Sequence, residues 1–210
     1  RYDVLLVLDE VMCGGGRTGH YFACLEDGVV PDLITIAKGL GGGYQPIGAV
    51  VVGERVFDAL SDGSGSLKHG LTYMGHPLAC AAALAVQLVI REDNLLANVC
   101  AQGAHFRSAL AQNLQGLDCI GDIRGRGLFV GVELVADRLS KEPFAAELSL
   151  HSRIRAEAFA QGLMVYPGGG TVDGRRGDHV LFAPAYTASE SEIDEIALRF
   201  RSVLDQVLET

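Results

Sequence analysis

Two charged side chains close short apolar runs, and their types suit one kind of chemistry. Asp9 follows the run Val4 to Leu8, and Lys38 ends the run Asp32 to Ala37, 29 residues later. Gly39 and then Gly41 to Gly43 follow the lysine, and residues without a Cβ let a ligand approach the backbone. A carboxylate facing a partly desolvated amine suits a pyridinium cofactor. The carboxylate would keep the ring nitrogen protonated, and an amine whose pKa falls on burial could form a Schiff base. The same pair can be read as a strand-end carboxylate and a surface-loop lysine, and spacing alone favours that plainer account.

Other patterns carry less. Gly14-Gly15-Gly16-Arg17-Thr18-Gly19 satisfies G-x-G-x-x-G, the dinucleotide-binding fingerprint. In that motif the glycines follow the strand directly and open a helix, whereas here Asp9 to Cys13 intervenes and Gly28 and Pro31 follow soon after. The six histidines form no HExxH or tight His/Cys cluster, so no metal is assigned. The five cysteines are odd in number and lack C-x-x-C spacing, which fits neither a disulfide framework nor a zinc ribbon and suits a reducing, cytoplasmic setting. With 17 Lys and Arg against 26 Asp and Glu, the net charge of -9 opposes a sequence-independent grip on nucleic acid or an anionic membrane.

The elements that must position Asp9 and Lys38 read as α/β. Val4 to Leu8 is a β-favouring apolar run of the kind buried on both faces in a parallel sheet. Asp32 to Ala37 and Ile47 to Val52 give two more strands, and charged residues at strand ends place the chemistry at a sheet edge. His76-Pro77 opens an Ala-rich helix through about Arg91, apolar enough to be covered on most sides. A second helix follows from about Asn94 to Leu114, stopped by Gly116. Short strands then come at Cys119 to Arg124, Leu128 to Val135, Leu163 to Tyr166 and His179 to Phe182, with a helix near Glu147 to Gln161. In the last helix Ser189 and Glu192 make a capping box, and Ile193, Ile196, Ala197, Phe200, Val203, Leu204 and Val207 mark one apolar face. The composition, 49% hydrophobic and 20% charged over 210 residues, is that of an ordinary globular chain. The longest apolar stretch, Leu78 to Ile90, is too short to span a bilayer. The chain opens inside a strand without an initiator Met, and so reads as a piece of something longer.

Several separate motifs, in order, resemble the class III (ω-type) pyridoxal-phosphate aminotransferases. They are Asp9-Glu10-Val11-Met12 with Gly16-Arg17-Thr18-Gly19, Pro31 to Gly39, His69-Gly70-Leu71-Thr72-Tyr73, and Gly75-His76-Pro77-Leu78-Ala79. Arg124 to Leu128, Tyr166 to Gly170, and Gly177 to Val180 with Ala183-Pro184 extend the likeness over nearly the whole chain. The resemblance implies an α/β fold-type I transferase, with residues 1–91 as the C-terminal part of the large cofactor-binding domain. Residues 92–210 would form the α+β small domain, and the cofactor-phosphate loop would lie N-terminal to this chain.

It also implies roles. Lys38 would be the Schiff-base lysine and proton shuttle, and Asp9 the partner of the pyridine nitrogen. Val11 would pack on the ring, and Thr72 would reach the phosphate in a neighbouring subunit of a homodimer. The plainer alternatives are core packing for Val11 and a turn hydroxyl for Thr72. The implied activity is transfer of an amino group from an amine or ω-amino acid to a keto acid such as pyruvate or 2-oxoglutarate. An aminomutase, or an inactive fragment, is the alternative. Two departures matter. Met12 stands where many members carry a Gln that bonds the cofactor's phenolic oxygen, and a thioether cannot donate that bond. Leu181 stands where α-amino-acid-directed members carry a carboxylate-clamping Arg, with Arg175 and Arg176 nearby as substitutes or as solvated side chains.

Overall fold

The computed structural model of the chain describes residues 2–209. Its contacts divide into two compact units, with the division between Ala97 and Asn98.

In the first unit, strands β1 (Val7–Asp9), β2 (Leu33–Ile36) and β3 (Ala49–Val52) form a sheet in that order. β1 and β2 run parallel and β2 and β3 antiparallel, so the sheet is mixed where the apolar runs suggest a parallel one. Cys24, Ile34 and Ile36 are its buried apolar cluster, with Leu8, Phe22 and Leu40 packed against it. The run Val4 to Leu8 is not buried on both faces as its composition suggests. Only its last residues pair, and Val4, Leu5, Leu6 and Val7 are exposed. The physical reason is that β1 is an edge strand, bonded on one side alone, and within it only Leu8 packs against the buried cluster.

Helix α1 (Glu54–Asp62) follows β3 with no buried residue, and the sequence reading missed it. Helix α2 (Pro77–Glu92) starts where His76-Pro77 places it, since Pro suits the first turn and the His76 ring accepts from the Ala79 N–H. It is less covered than its Ala-rich surface implies. Ala79, Ala83 and Ile90 are buried, whereas Leu78, Leu84 and Val89 are exposed. One of its contacts serves the site: the Gln87 amide donates to the Leu40 carbonyl at 2.9 Å.

Helix α3 (Leu95–Asn113) leads into the second unit. There β4 (Ile120–Arg126), β5 (Phe129–Leu134), β6 (Tyr166–Gly168) and β7 (Asp178–Phe182) form an antiparallel sheet in the order β4-β5-β7-β6. β5 and β7 alternate half-buried and buried positions, as strands with one face on a core do. Helices α4 (Leu150–Ala160) and α5 (Glu190–Glu209) complete it. Phe106, Phe182 and Phe200 meet edge to face in the core. The strand expected at Leu163 to Tyr166 lies later, at Tyr166–Gly168. Leu163 instead terminates α4, its N–H bonded to the Ala158 carbonyl, and Pro167 is tolerated because β6 is an edge strand. The capping box forms: the Glu192 carboxylate accepts from the Ser189 N–H at 2.8 Å, and the Ser189 hydroxyl accepts from the Glu192 N–H.

Candidate functional site

Parallel pairing in register puts Asp9 opposite Thr35, so the carboxyl ends of β1 and β2 open at one edge. In open α/β sheets this is where ligands bind. The edge is knitted by the Glu10 N–H donating to the Thr35 carbonyl at 2.9 Å. Asp9 is exposed there. Its Oδ1 accepts from the Val11 N–H at 3.0 Å and, more weakly, from the Thr35 hydroxyl at 3.4 Å. Among the described residues nothing donates to Oδ2. The carboxylate is therefore held by one oxygen and offers the other.

Lys38 stands two residues beyond the end of β2, at the start of a single 3-10 turn, Lys38–Leu40. Its φ of 43° lies in the left-handed region, unfavourable for a residue with a side chain and often retained where function needs the geometry. The Lys38 side chain is exposed, where its residue type and setting suggest a partly desolvated amine; the amine lies 2.5 Å from the Met12 Sδ, a weak acceptor, and has no carboxylate partner among the described residues. The Gly14 to Gly16 turn after β1 comes close to this segment: a Cβ at Gly15, whose φ is 66°, would sit 3.5 Å from the Gly39 backbone.

The sequence places Glu10 beside Asp9 in the same motif but assigns it no role. It is buried, and its carboxylate accepts from the Ala23 N–H at 2.7 Å and the Cys24 N–H at 2.9 Å. This pins the loop that returns from the glycine turn. Burial raises the Cys24 thiol pKa, followed by its hydrogen bond with Glu10 and then the Glu10 charge, while Cys13 is raised by burial and next by the Glu10 charge. The signal was available as a second carboxylate beside Asp9. A charge placed among apolar residues needs partners, and free N–H groups at the Ala23–Leu25 turn supply them. Asp32 plays a similar part, accepting from the Leu6 N–H at 2.8 Å.

The sheet edge thus brings together Asp9, Val11, Met12 and Lys38. Thr72 lies exposed in the turn before α2. Arg176 is engaged by Asp173 at 2.9 Å and Glu142 at 2.8 Å, and Asp173 is held far below the usual carboxylate range by the N–H groups of Arg176 and Arg175. Arg175 is exposed, and Leu181 is half-buried in β7.

A pyridoxal-type group can be tested against these residues. It needs an acceptor for a ring N–H, an unpaired amine for its carbonyl carbon, and an approach without bulky side chains. Asp9 Oδ2, Lys38 Nζ and the glycine turn meet those needs, so the residues present fit the group.

The model of the family described as aminotransferase class-III matches residues 1–204. Among curated relatives, an aminotransferase of Gibberella zeae is 45% identical over 97% of this chain and 40% of its own length. A diaminobutyrate--2-oxoglutarate transaminase of Halomonas elongata is 38% identical over 99% of this chain and 44% of its own. The chain spans less than half the length of these relatives. Among solved structures, a transaminase from the marine bacterium Virgibacillus superposes with a TM-score of 0.93 at 31% identity, covering 99% of this chain and 46% of that one. An (S)-enantioselective omega-transaminase from Thermomicrobium roseum gives 0.89 at 36% identity, covering 99% and 44%. With a family model over almost all its residues and such backbone agreement, the chain belongs to the class III aminotransferases, and its fold is the α/β architecture of the fold-type I pyridoxal-phosphate enzymes.

Proposed function

We propose that this chain is the C-terminal half of a pyridoxal-phosphate-dependent transaminase that moves an amino group from an amine or ω-amino acid to a keto acid such as pyruvate or 2-oxoglutarate. One observation carries the reading: the parallel register delivers a half-free carboxylate and an unpaired amine to the same sheet edge. When bound, the cofactor supplies an electron sink for the carbon from which the amino group leaves. The residues do the rest. Asp9 Oδ2 accepts the ring N–H and favours the protonated nitrogen. Lys38 holds the cofactor through Nζ and, released from it, carries the proton to and from the reacting carbon. Val11 orients Asp9 through its N–H and offers an apolar face to the ring.

The large-domain part is residues 1–91 and the small domain 92–210, in keeping with contacts that divide near Ala97. Thr72, exposed in the turn before α2, serves the cofactor phosphate of the neighbouring subunit in a homodimer. The absence of an arginine at Leu181, and the engagement of Arg176 by two acids, favour donors with a distal amine. Named relatives act on such compounds, among them diaminobutyrate and gamma-aminobutyrate. The same names favour a transaminase over an aminomutase. Five free thiols suit a cytoplasmic setting, and no helix of the described residues is long and apolar enough to cross a membrane. Borohydride treatment of the cofactor-loaded intact protein, followed by peptide mapping, tests the assignment. The cofactor is expected on Lys38. Its recovery on Lys68 or Lys141, or on no lysine, would refute the reading.

A further inference from the structure

Outside the sheet edge, His105, Glu190 and Asp194 bring one ligand atom each within 4.8 Å of one another. We propose that they form a surface site for a divalent transition-metal cation, with the His105 Nε2 and two carboxylate oxygens as protein ligands and water in the remaining positions. The imidazole and carboxylate donors, without thiolate, suit zinc, cobalt or nickel better than calcium or magnesium.

Three features support more than a chance meeting of charges. Glu190 and Asp194 lie four residues apart in the first turns of α5, so they share one helix face. The opposing helix is fastened at that level: the Asn98 amide of α3, two turns before His105, donates to the Tyr186 carbonyl at 2.7 Å and the Ala188 carbonyl at 3.1 Å. At the far end of the pair the Arg201 guanidinium donates to the Asn113 and Gln115 carbonyls. The donors are therefore mounted on elements whose spacing is fixed at both ends, as a preformed site requires.

The second feature is which acids remain available. Glu192 is committed to the capping box and Glu195 to Arg199 at 2.6 Å. Asp194 meets the His105 Nε2 at 2.7 Å, while Glu190 has no cation partner among the described residues. Two carboxylates beside one imidazole leave local negative charge that a divalent ion would neutralise. The third is geometric. Metal ligand distances of about 2.0–2.2 Å place donors roughly 3–4 Å apart. The cluster already stands near that span, and the exposed Glu190 and Asp194 side chains, beside a half-buried His105, can close the rest by rotation. The separation of His105 from Asp194 by 89 residues hides the site from any spacing motif.

The test uses the intact, untagged protein, stripped of metal by chelator and titrated with Co2+, whose visible spectrum reports its ligands. The expected result is one Co2+ per chain with a nitrogen and oxygen ligand spectrum and no thiolate charge-transfer band. His105→Ala and Glu190→Gln should each weaken binding by on the order of tenfold or more. Glu190→Gln leaves the His105 to Asp194 pair in place, and an unchanged Tm of its metal-free form separates a lost ligand from a disturbed helix start. Thermal unfolding with excess Co2+ should show a rise in Tm that both variants lose. No binding, a thiolate band from the free cysteines, or binding unchanged in both variants would overturn the site.

Discussion

The two units of the chain solve the problem of holding residues in place by different means. The second does it with apolar packing: a buried cluster running from Val99 through Phe106, Leu128 and Ile154 to Phe200 and Val207 draws on strands β4, β5 and β7 and on helices α3, α4 and α5. The first has a buried cluster of Cys24, Ile34 and Ile36, and leaves Val4, Val7, Val50, Phe57 and Leu84 exposed. Its order comes from hydrogen bonds at the ends of strands, namely Glu10 to the Ala23 and Cys24 amides, Asp32 to the Leu6 amide, and Gln87 to the Leu40 carbonyl. Yet the first unit carries Asp9 and Lys38. A strand end with few side chains over it is accessible to a ligand, while a closed core offers no such access.

The sharpest way to break this contrast is to remove chemistry from the first unit without disturbing either unit's structure. Asp9→Asn keeps an oxygen that can accept from the Val11 N–H, so the loop should stay as it is. A neutral amide cannot favour the protonated ring nitrogen. Turnover in the intact protein should fall by roughly a hundredfold or more, with cofactor still bound. The check is kcat beside the absorbance of the bound cofactor. Unchanged turnover would remove Asp9 from the mechanism and leave the sheet edge as structure alone.

The next test asks whether packing energy is concentrated as the buried clusters suggest. Phe200 is fully buried and meets the Phe182 ring at a centroid distance of 4.9 Å. Phe200→Ala should cost about 3–5 kcal/mol. Ile34→Ala, in the smaller cluster, should stand near the bottom of the about 2–5 kcal/mol expected for such a change. Denaturant titration of the two variants measures both. Equal costs would show that the first unit packs as tightly as the second.

The same contrast explains which parts of the molecule were legible in the sequence. In the second unit the apolar period of α5 and the Ser189 to Glu192 spacing fixed the helix and its start, because burial there follows composition. In the first unit composition misled. The Val and Leu run at Val4 to Leu8 and the Ala-rich α2 are apolar enough for a core, but burial needs a partner and not only hydrophobicity. Helix α1 escaped notice since it buries no side chain and is capped only by Gly53. Asp9 and Lys38 were visible as residue types at strand ends, and motif resemblance singled them out. The Lys38 backbone conformation and the partners of Glu10 were not visible, since both depend on which loops return to the edge.

A smaller effect should follow from Ser189→Ala in the cap of α5. The loss removes a hydroxyl that accepts from the Glu192 N–H, and should cost about 1 kcal/mol. The Ser189 N–H and hydroxyl hold Glu192 below the ordinary glutamate range, so its titration should also move back upward in the variant. Denaturant midpoints and carboxyl chemical shifts report the two. If the midpoint did not move, the start of α5 would be held by its apolar face and not by its cap.

The smallest expected effect is a pH dependence inside the well-packed unit. Burial, and next the Arg124 charge, push the His179 imidazole below its ordinary pKa of 6.5, against the opposing pull of Asp178 and Glu133, with His151 adding to the lowering. Its Nδ1 is buried without a hydrogen-bond partner. The folded state therefore binds this proton less readily than the unfolded chain. As pH falls through 6.5 the unfolded chain takes up the proton first, so stability declines from there down to the lowered folded value and levels off below it. His179→Gln should flatten that decline while leaving stability at neutral pH little changed, because the ring is neutral there in both states. Denaturant midpoints measured at intervals from pH 7.5 to about pH 5 would show it. A wild-type curve that is level over this range, or one whose slope survives the substitution, would mean that the imidazole is protonated as easily in the fold as outside it.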